Sequence, residues 1–244
     1  MYGICLLTAI PMRKEKSDSS EMVNQILFGE SFKILKKDSK WSYVELLHDS
    51  YKGWVCNKQY TIINKKITQN ITCNKKVCNI QIKNINQTIV LGSLIPKEKL
   101  IQNKMNIKIN LNFYKMDNIE NWFLKICKKY LNTPYLWGGR TPFGIDCSGY
   151  TQMVFRFFNI HLPRDAYQQE KNGKNINFLQ SKIGDLAFFK ENTKITHVGI
   201  ILKKNKIIHA SGKVKISYID NLGIYEDSKT KKYTHKLKSI KRVF

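Results

Sequence analysis

The residues Asp146-Cys147-Ser148-Gly149 are followed by apolar side chains at Tyr150, Met153, Val154, Phe157 and Phe158, a spacing that predicts a helix starting just past the cysteine. A thiol at that place faces unpaired amide N–H groups and the positive end of the helix dipole, and both favour thiolate. Cys147 is therefore predicted to be a nucleophile, with a pKa depressed into the range of about 3.5 to 7.5. Such a nucleophile needs a base. His197 opens the apolar run His197-Val-Gly-Ile-Ile-Leu202, and His209 ends the run Lys206-Ile-Ile-His209 before Ala210. Both runs read as strands of one meander that turns at Lys203-Lys-Asn205, which brings the two imidazoles together. His197 then takes the thiol proton and His209 fixes its tautomer. Asp146 also reads as a helix N-cap and Gly138-Gly139 as a turn. His48, His161 and His235 lie outside every such pattern, so substitutions at His161 and His235 are expected to be near neutral.

The elements around these residues carry a resemblance. Pro134-Tyr-Leu-Trp-Gly-Gly139, Asp146-Cys-Ser-Gly149, Leu162-Pro-Arg-Asp165, Gly184-Asp-Leu186, His197-Val-Gly199 and Ile208-His-Ala210 occur in the order seen in the NlpC/P60 family of papain-like cysteine peptidases, which cut bacterial cell-wall peptides. The segment from about Trp122 to Tyr218 resembles that family. The resemblance implies a rearranged papain-type α+β fold with Cys147 as nucleophile, His197 as base and His209 as the orienting third residue. It implies no metal or organic cofactor.

The catalytic segment, residues 117–244, occupies only about the second half of the 244 residues. Residues 1–64 hold short β-like runs at Tyr2 to Thr8, Ser31 to Leu35, Trp41 to Leu47 and Gly53 to Cys56, with turn residues between them. Phe28-Gly-Glu30, Trp41-Ser-Tyr-Val44 and Tyr51-Lys-Gly-Trp-Val55 resemble a small bacterial SH3-type barrel. Residues 65–116 are rich in Asn, Lys and Ile and alternate around Asn79 to Asn86, which reads as a second small β unit or a structured connector. Cys73 and Cys78 have no second ligand pair at zinc-finger distance, so no metal site is expected.

The formal net charge of +24 raises the question of nucleic acid. Only five of the 42 basic residues are arginine, the lysines are spread along the chain, and no helix-turn-helix, zinc-finger or RNP pattern occurs. Lysine, asparagine and isoleucine make up 90 of the 244 residues, a bias that points to A- and T-rich codons rather than to a basic groove. Specific nucleic-acid binding is thus not expected, although weak adsorption to anionic surfaces is. The first residues lack a basic n-region, no apolar run approaches 18 residues, and the six cysteines form no disulfide framework. A cytoplasmic monomer without a membrane span is the expectation.

A cytosolic NlpC/P60 protein with an N-terminal SH3-type unit resembles the subgroup of γ-D-glutamyl-L-diamino acid endopeptidases that recycle released murein peptides. That resemblance, supported by Pro11-Met-Arg13 and Ser20-Glu-Met-Val-Asn-Gln25, implies that Glu21, Tyr51 and Asp165 surround the free N-terminal ammonium of an L-Ala peptide. It further implies that Tyr135, Asp146, Ser148 and Arg164 line the cleft, with an oxyanion hole near the Cys147 amide and the Tyr135 hydroxyl. The expected partners are small peptidoglycan-derived peptides. The readings weighed against this one are an exported hydrolase of intact wall, a catalytically silent wall-peptide binder and a lipid-directed acyltransferase.

Overall fold

The computed structural model describes residues 1–67, 70–82, 84–97, 107–108, 118–227 and 231–243. The start of the catalytic segment at Asp117 and most of residues 98–116 lie outside the described residues. The chain divides into two compact units, one formed by Met1–Lys115 with Trp137–Pro142, the other by Met116–Leu136 with Phe143–Phe244.

The first unit begins with β1 (Tyr2–Ile4), β2 (Ala9–Arg13), β3 (Met22–Leu27), β4 (Ser31–Lys37), β5 (Trp41–Leu46), β6 (Lys52–Cys56) and β7 (Thr61–Ile63). They form an antiparallel sheet in the order β3-β2-β6-β5-β4-β1-β7. Along β5 half-buried and buried residues alternate, so Ser42, Val44 and Leu46 face inward. They join a core of Cys5, Ile10, Met12, Ile26, Phe32 and Val55. Strands β2 and β3 carry no strand signal in the sequence because Pro11 interrupts one and polar residues precede the other. β2 pairs along its length with β3 but meets β6 only at Arg13 and Trp54, a position tolerant of proline.

Five short strands follow: β8 (Asn70–Thr72), β9 (Val77–Ile82), β10 (Ile85–Val90), β11 (Leu94–Pro96) and β12 (Ile107–Lys108). β9 lies between β10 and β12, and β8 pairs with β11. Cys73 packs with Phe28, Ile80, Ile89 and Ile95, and Cys78 lies against the same cluster. The first unit also includes β13 (Arg140–Thr141). Arg140 is fully buried and donates to both Glu30 carboxylate oxygens at 2.9 and 3.0 Å and to the Gln25 carbonyl at 2.9 Å. Gly138 adopts φ +77°, and a Cβ there would lie 2.3 Å from the Met22 carbonyl oxygen, so only glycine fits.

The second unit holds α1 (Ile119–Lys129), β14 (Gly144–Ile145), α2 (Cys147–Arg156), α3 (Ala166–Gln169) and strands β15 (Lys174–Asn175), β16 (Leu186–Glu191), β17 (Lys194–Lys203), β18 (Lys206–Ser211), β19 (Lys213–Ile219), β20 (Gly223–Tyr225) and β21 (Tyr233–Arg242). Strands β16 to β21 pair in sequence order, and β21 also pairs with both β16 and β20, which closes a six-stranded barrel. Inside it lie Ala187, Phe189, Ile201, Ile207, Ile219, Ile224 and Ile240. Residues alternate along β17, so His197, Gly199 and Ile201 point inward while Val198 and Ile200 face the other side. α2 packs against β17 and is buried along its whole length. The architecture is α+β, mostly sheet with few helices. No helix among the described residues is long and apolar enough to cross a membrane.

Candidate active site

Cys147 is the first residue of α2, as the apolar stripe predicts. Asp146 caps the helix, its Oδ1 accepting the Gly149 N–H at 2.7 Å. Arg164 grips Asp146 with both ends of its guanidinium, Nη1 to Oδ1 at 3.0 Å and Nη2 to Oδ2 at 2.5 Å, and donates to Ser148 Oγ at 2.9 Å. All three side chains are buried. Asp146, Ser148 and Arg164, expected as cleft lining, thus come together in one network that fixes the helix start.

The histidines meet as the meander predicts. β17 and β18 are antiparallel with Gly199 opposite His209, and His197 Nε2 lies 2.8 Å from His209 Nδ1. A Cβ on Gly199 would fall 2.9 Å from His209 Cβ and 2.7 Å from Ile207 Cδ1, so glycine there makes room for the imidazole. His209 Nε2 in turn lies 3.0 Å from Ser217 Oγ on β19. Ser217 is a residue that the sequence reading missed. Its only signal is a buried polar side chain on the inward face of β19.

The chain of contacts selects a tautomer when His197 acts as base. His209 Nε2–H donates to Ser217, His209 Nδ1 accepts from His197 Nε2–H, and the lone pair on His197 Nδ1 is left for the thiol proton. Burial, followed by the electrostatic influence of His209, His235 and Lys215, holds His197 well below the usual imidazole range. Burial also lowers His209, to about 3. The thiol departs from the sequence expectation. Burial first and the Asp146 charge second push Cys147 up to about 12, against the weaker pull of backbone hydrogen bonds from Val198 and Ser148 and of the Arg164 charge. The helix terminus acts in the predicted direction but desolvation outweighs it, so the resting pair is neutral thiol beside neutral imidazole.

Tyr135 is half-buried, tied by its N–H to the Gly212 carbonyl at 2.9 Å. Burial first, and then the electrostatic influence of Cys147 and Asp146, raise its phenol, which stays protonated as a donor. Tyr135 and His197 line one cavity of about 690 Å³ together with Phe189, Gly212, Tyr233 and His235. The presence of His235 there corrects the sequence reading: its ring centroid lies 4.4 Å from that of His197. His161 is exposed on the segment before α3. His48 lies in the first unit, 3.3 Å from Asp49 Oδ2 and 3.3 Å from Arg140 Nη2.

The three residues expected at the substrate ammonium are divided between the units. Glu21 is exposed in the first unit and accepts the Trp137 indole N–H at 2.8 Å. Tyr51, also in the first unit, packs against the core of the seven-stranded sheet, and its N–H donates to Asp49 Oδ1. Asp165 precedes α3 in the second unit, where its N–H donates to Gln168 Oε1.

Comparison with known proteins agrees with this geometry. Residues 132–236 match the NlpC/P60 family and residues 12–59 match the bacterial dipeptidyl-peptidase SH3 domain. The chain therefore carries an NlpC/P60 domain, the domain of a family of cysteine peptidases, which follows a bacterial SH3-type domain in sequence. The chain is 24% identical, over 86% of its own length and 74% of the other's, to a Bacillus cereus protein named gamma-D-glutamyl-L-lysine dipeptidyl-peptidase. It is 42% identical over 78 residues to the Escherichia coli K12 murein DD-endopeptidase MepS/murein LD-carboxypeptidase, covering 32% of this chain and 42% of that protein. A solved NlpC/P60 family protein from Bacillus cereus ATCC 10987 superposes with a TM-score of 0.79 at 18% identity, covering all of this chain and 99% of that one, a likeness of fold.

Proposed function

We propose that this protein is a cysteine endopeptidase that hydrolyses the γ-D-glutamyl–diamino acid bond of released cell-wall peptides bearing a free N-terminal L-Ala, and that it serves murein recycling in the cytoplasm as a monomer. The observation that carries the reading is the buried chain His197–His209–Ser217 together with the helix-start thiol of Cys147, which is hydrogen-bonded to the backbone of Val198, the residue after His197; this is a nucleophile and base with the base oriented from behind. Similarity across both domains to a gamma-D-glutamyl-L-lysine dipeptidyl-peptidase supports the bond specificity.

In the reaction, Cys147 Sγ attacks the scissile carbonyl carbon as its proton passes to His197 Nδ1. The carbonyl oxygen becomes an oxyanion facing donors that include the Cys147 N–H and the Tyr135 hydroxyl. The C–N bond then breaks as His197 returns the proton to the leaving amine, giving a thioester. Water, deprotonated by His197, releases the acid product and restores the thiol. The free N-terminal ammonium of L-Ala is the anchor, held by charge-assisted hydrogen bonds roughly twice as strong as neutral ones, and Glu21, Tyr51 and Asp165 are the residues that the subgroup resemblance assigns to it.

Acetylating the L-Ala amine leaves the scissile bond unchanged but removes the cation and adds bulk. The expected result is a loss in kcat/KM of about a hundredfold, which corresponds to about 3 kcal/mol. Intact wall, in which that nitrogen is joined to muramic acid, is spared. Equal kcat/KM for free and N-acetylated L-Ala-γ-D-Glu-diamino acid tripeptide would remove the recycling assignment and favour the exported wall hydrolase.

A further inference from the structure

His235 lies on β21, outside every motif that the NlpC/P60 resemblance covers. Its imidazole packs against that of His197 with centroids 4.4 Å apart and planes inclined at 32°, a tilted ring contact. The same ring meets His209 edge-on at 5.6 Å and Phe189 edge-on at 5.9 Å. His235 Nδ1 is 2.9 Å from Thr234 Oγ1, which fixes the ring from its own strand, and His235 lines the 690 Å³ cavity onto which His197 opens. His197 is therefore held from two directions: His209 engages one edge at Nε2, and His235 packs against the ring.

We propose that His235 is a positioning residue of the catalytic centre, whose closely packed ring holds the His197 imidazole in the orientation that presents Nδ1 to Cys147. This rests on the assignment of Cys147 and His197 as nucleophile and base, not on the identity of the substrate. An imidazole with one edge bonded is free to tilt about that bond, and a tilt moves Nδ1 off the thiol. A flat ring packed against the imidazole removes that freedom without touching substrate.

A second consequence separates this role from mere packing. The charged and titratable groups around His235 are His197 on β17, His209 on β18, Lys215 on β19, Glu226 after β20, and Lys190 and Glu191 across the cavity. Lys215 is ion-paired with Glu226. Burial, then the Lys215 charge, hold His235 below the ordinary imidazole value. It is neutral near pH 7 and gains a proton only on the acid side. Once protonated, it opposes the His197 imidazolium that thiol deprotonation must create. Activity should therefore fall in acid at a pH where a variant with an uncharged ring stays active.

The test compares wild type, His235→Ala and His235→Phe in the full chain. The readouts are the alkylation rate of Cys147 with iodoacetamide, followed by peptide mass spectrometry, and kcat and KM on the free tripeptide. The Ala variant should lose about tenfold or more in kcat and in alkylation rate with KM within about twofold. The Phe variant, which keeps the ring, should recover to within about threefold of wild type and keep, on the acid side of its optimum, a larger fraction of its optimum activity than wild type keeps. Unchanged rates in His235→Ala overturn the proposal, and so does a folded His235→Phe that restores neither rate. Should the Ala variant not fold, a Phe variant with the wild-type acid profile overturns it on its own. Alkylation needs no substrate, so a wild type that leaves the tripeptide uncut but shows the predicted alkylation pattern refutes the substrate assignment and not the role of His235.

Discussion

At the scale of single residues, the site stores its reactivity in proximity rather than in a preformed ion pair. The raised thiol of Cys147 and lowered imidazole of His197 place the proton on sulfur until substrate arrives. Alkylation of Cys147 should accordingly be slow near pH 7 and climb through the alkaline range, because the thiolate fraction of a group with a raised pKa grows with every unit of pH. A rate that is already flat from about pH 7 upward would restore the depressed thiol expected from the sequence. Cys147→Ser and Cys147→Ala should abolish turnover without unfolding the chain. His197→Ala should cost more than His209→Ala, and Ser217→Ala less than either, since each step away from the thiol only orients the next group. A Ser217→Ala loss as deep as that of His197→Ala would show that the serine does more than fix a tautomer.

At the scale of elements, two local features hold nucleophile and base in register. The cap on α2 is also one half of a buried ion pair, so Asp146→Ala removes a helix cap worth about 1 kcal/mol and leaves Arg164 buried without its carboxylate, a change of about 3–5 kcal/mol. Asp146→Asn keeps the cap acceptor and should lose less. Urea unfolding of the two variants measures the difference, and equal losses would mean that the ion pair alone matters. In the meander, Gly199→Ala inserts a methyl where Ile207 and His209 already sit within 3 Å. Activity should drop more than stability there, because the ring displaced is the one that orients His197.

At the scale of the whole molecule, the chain order and the folded units do not coincide. Arg140 follows the motif Pro134-Tyr-Leu-Trp-Gly-Gly139 in sequence, yet it is buried in the first unit against Glu30. The neighbouring Asp49 carboxyl is held well below its usual range, by interaction with His48 and by the Arg140 charge, against the opposing effect of burial. A fragment ending at Lys115 has Glu30 without this partner. Glu30→Gln should therefore destabilise the full chain, where it breaks a buried pair, more than the fragment, where Glu30 keeps the Leu27 N–H and the nearby His48 but has no Arg140 to lose. Unfolding midpoints of the four proteins test the difference; an equal loss in both backgrounds would show that Arg140 does not stabilise the first unit.

The helix beginning at Cys147, the paired strands of His197 and His209 and the inward alternation of β5 were all legible in sequence, because each depends on a repeat of apolar side chains over a few neighbouring positions. The strands containing Pro11 and following Ser20 were not, since their pairing is decided by partners elsewhere in the sheet. The same division runs through the site. By itself the sequence singled out Cys147, His197 and His209 as the candidates for nucleophile, base and orienting group, for these rest on residue type and local period. Only the tertiary structure decided that Ser217 backs His209, that His235 packs against His197, that Arg140 belongs to the first unit and that the thiol rests protonated. Each of these depends on closure of the barrel or on burial, and the desolvation that burial brings is a property of everything packed around a group rather than of its neighbours along the chain.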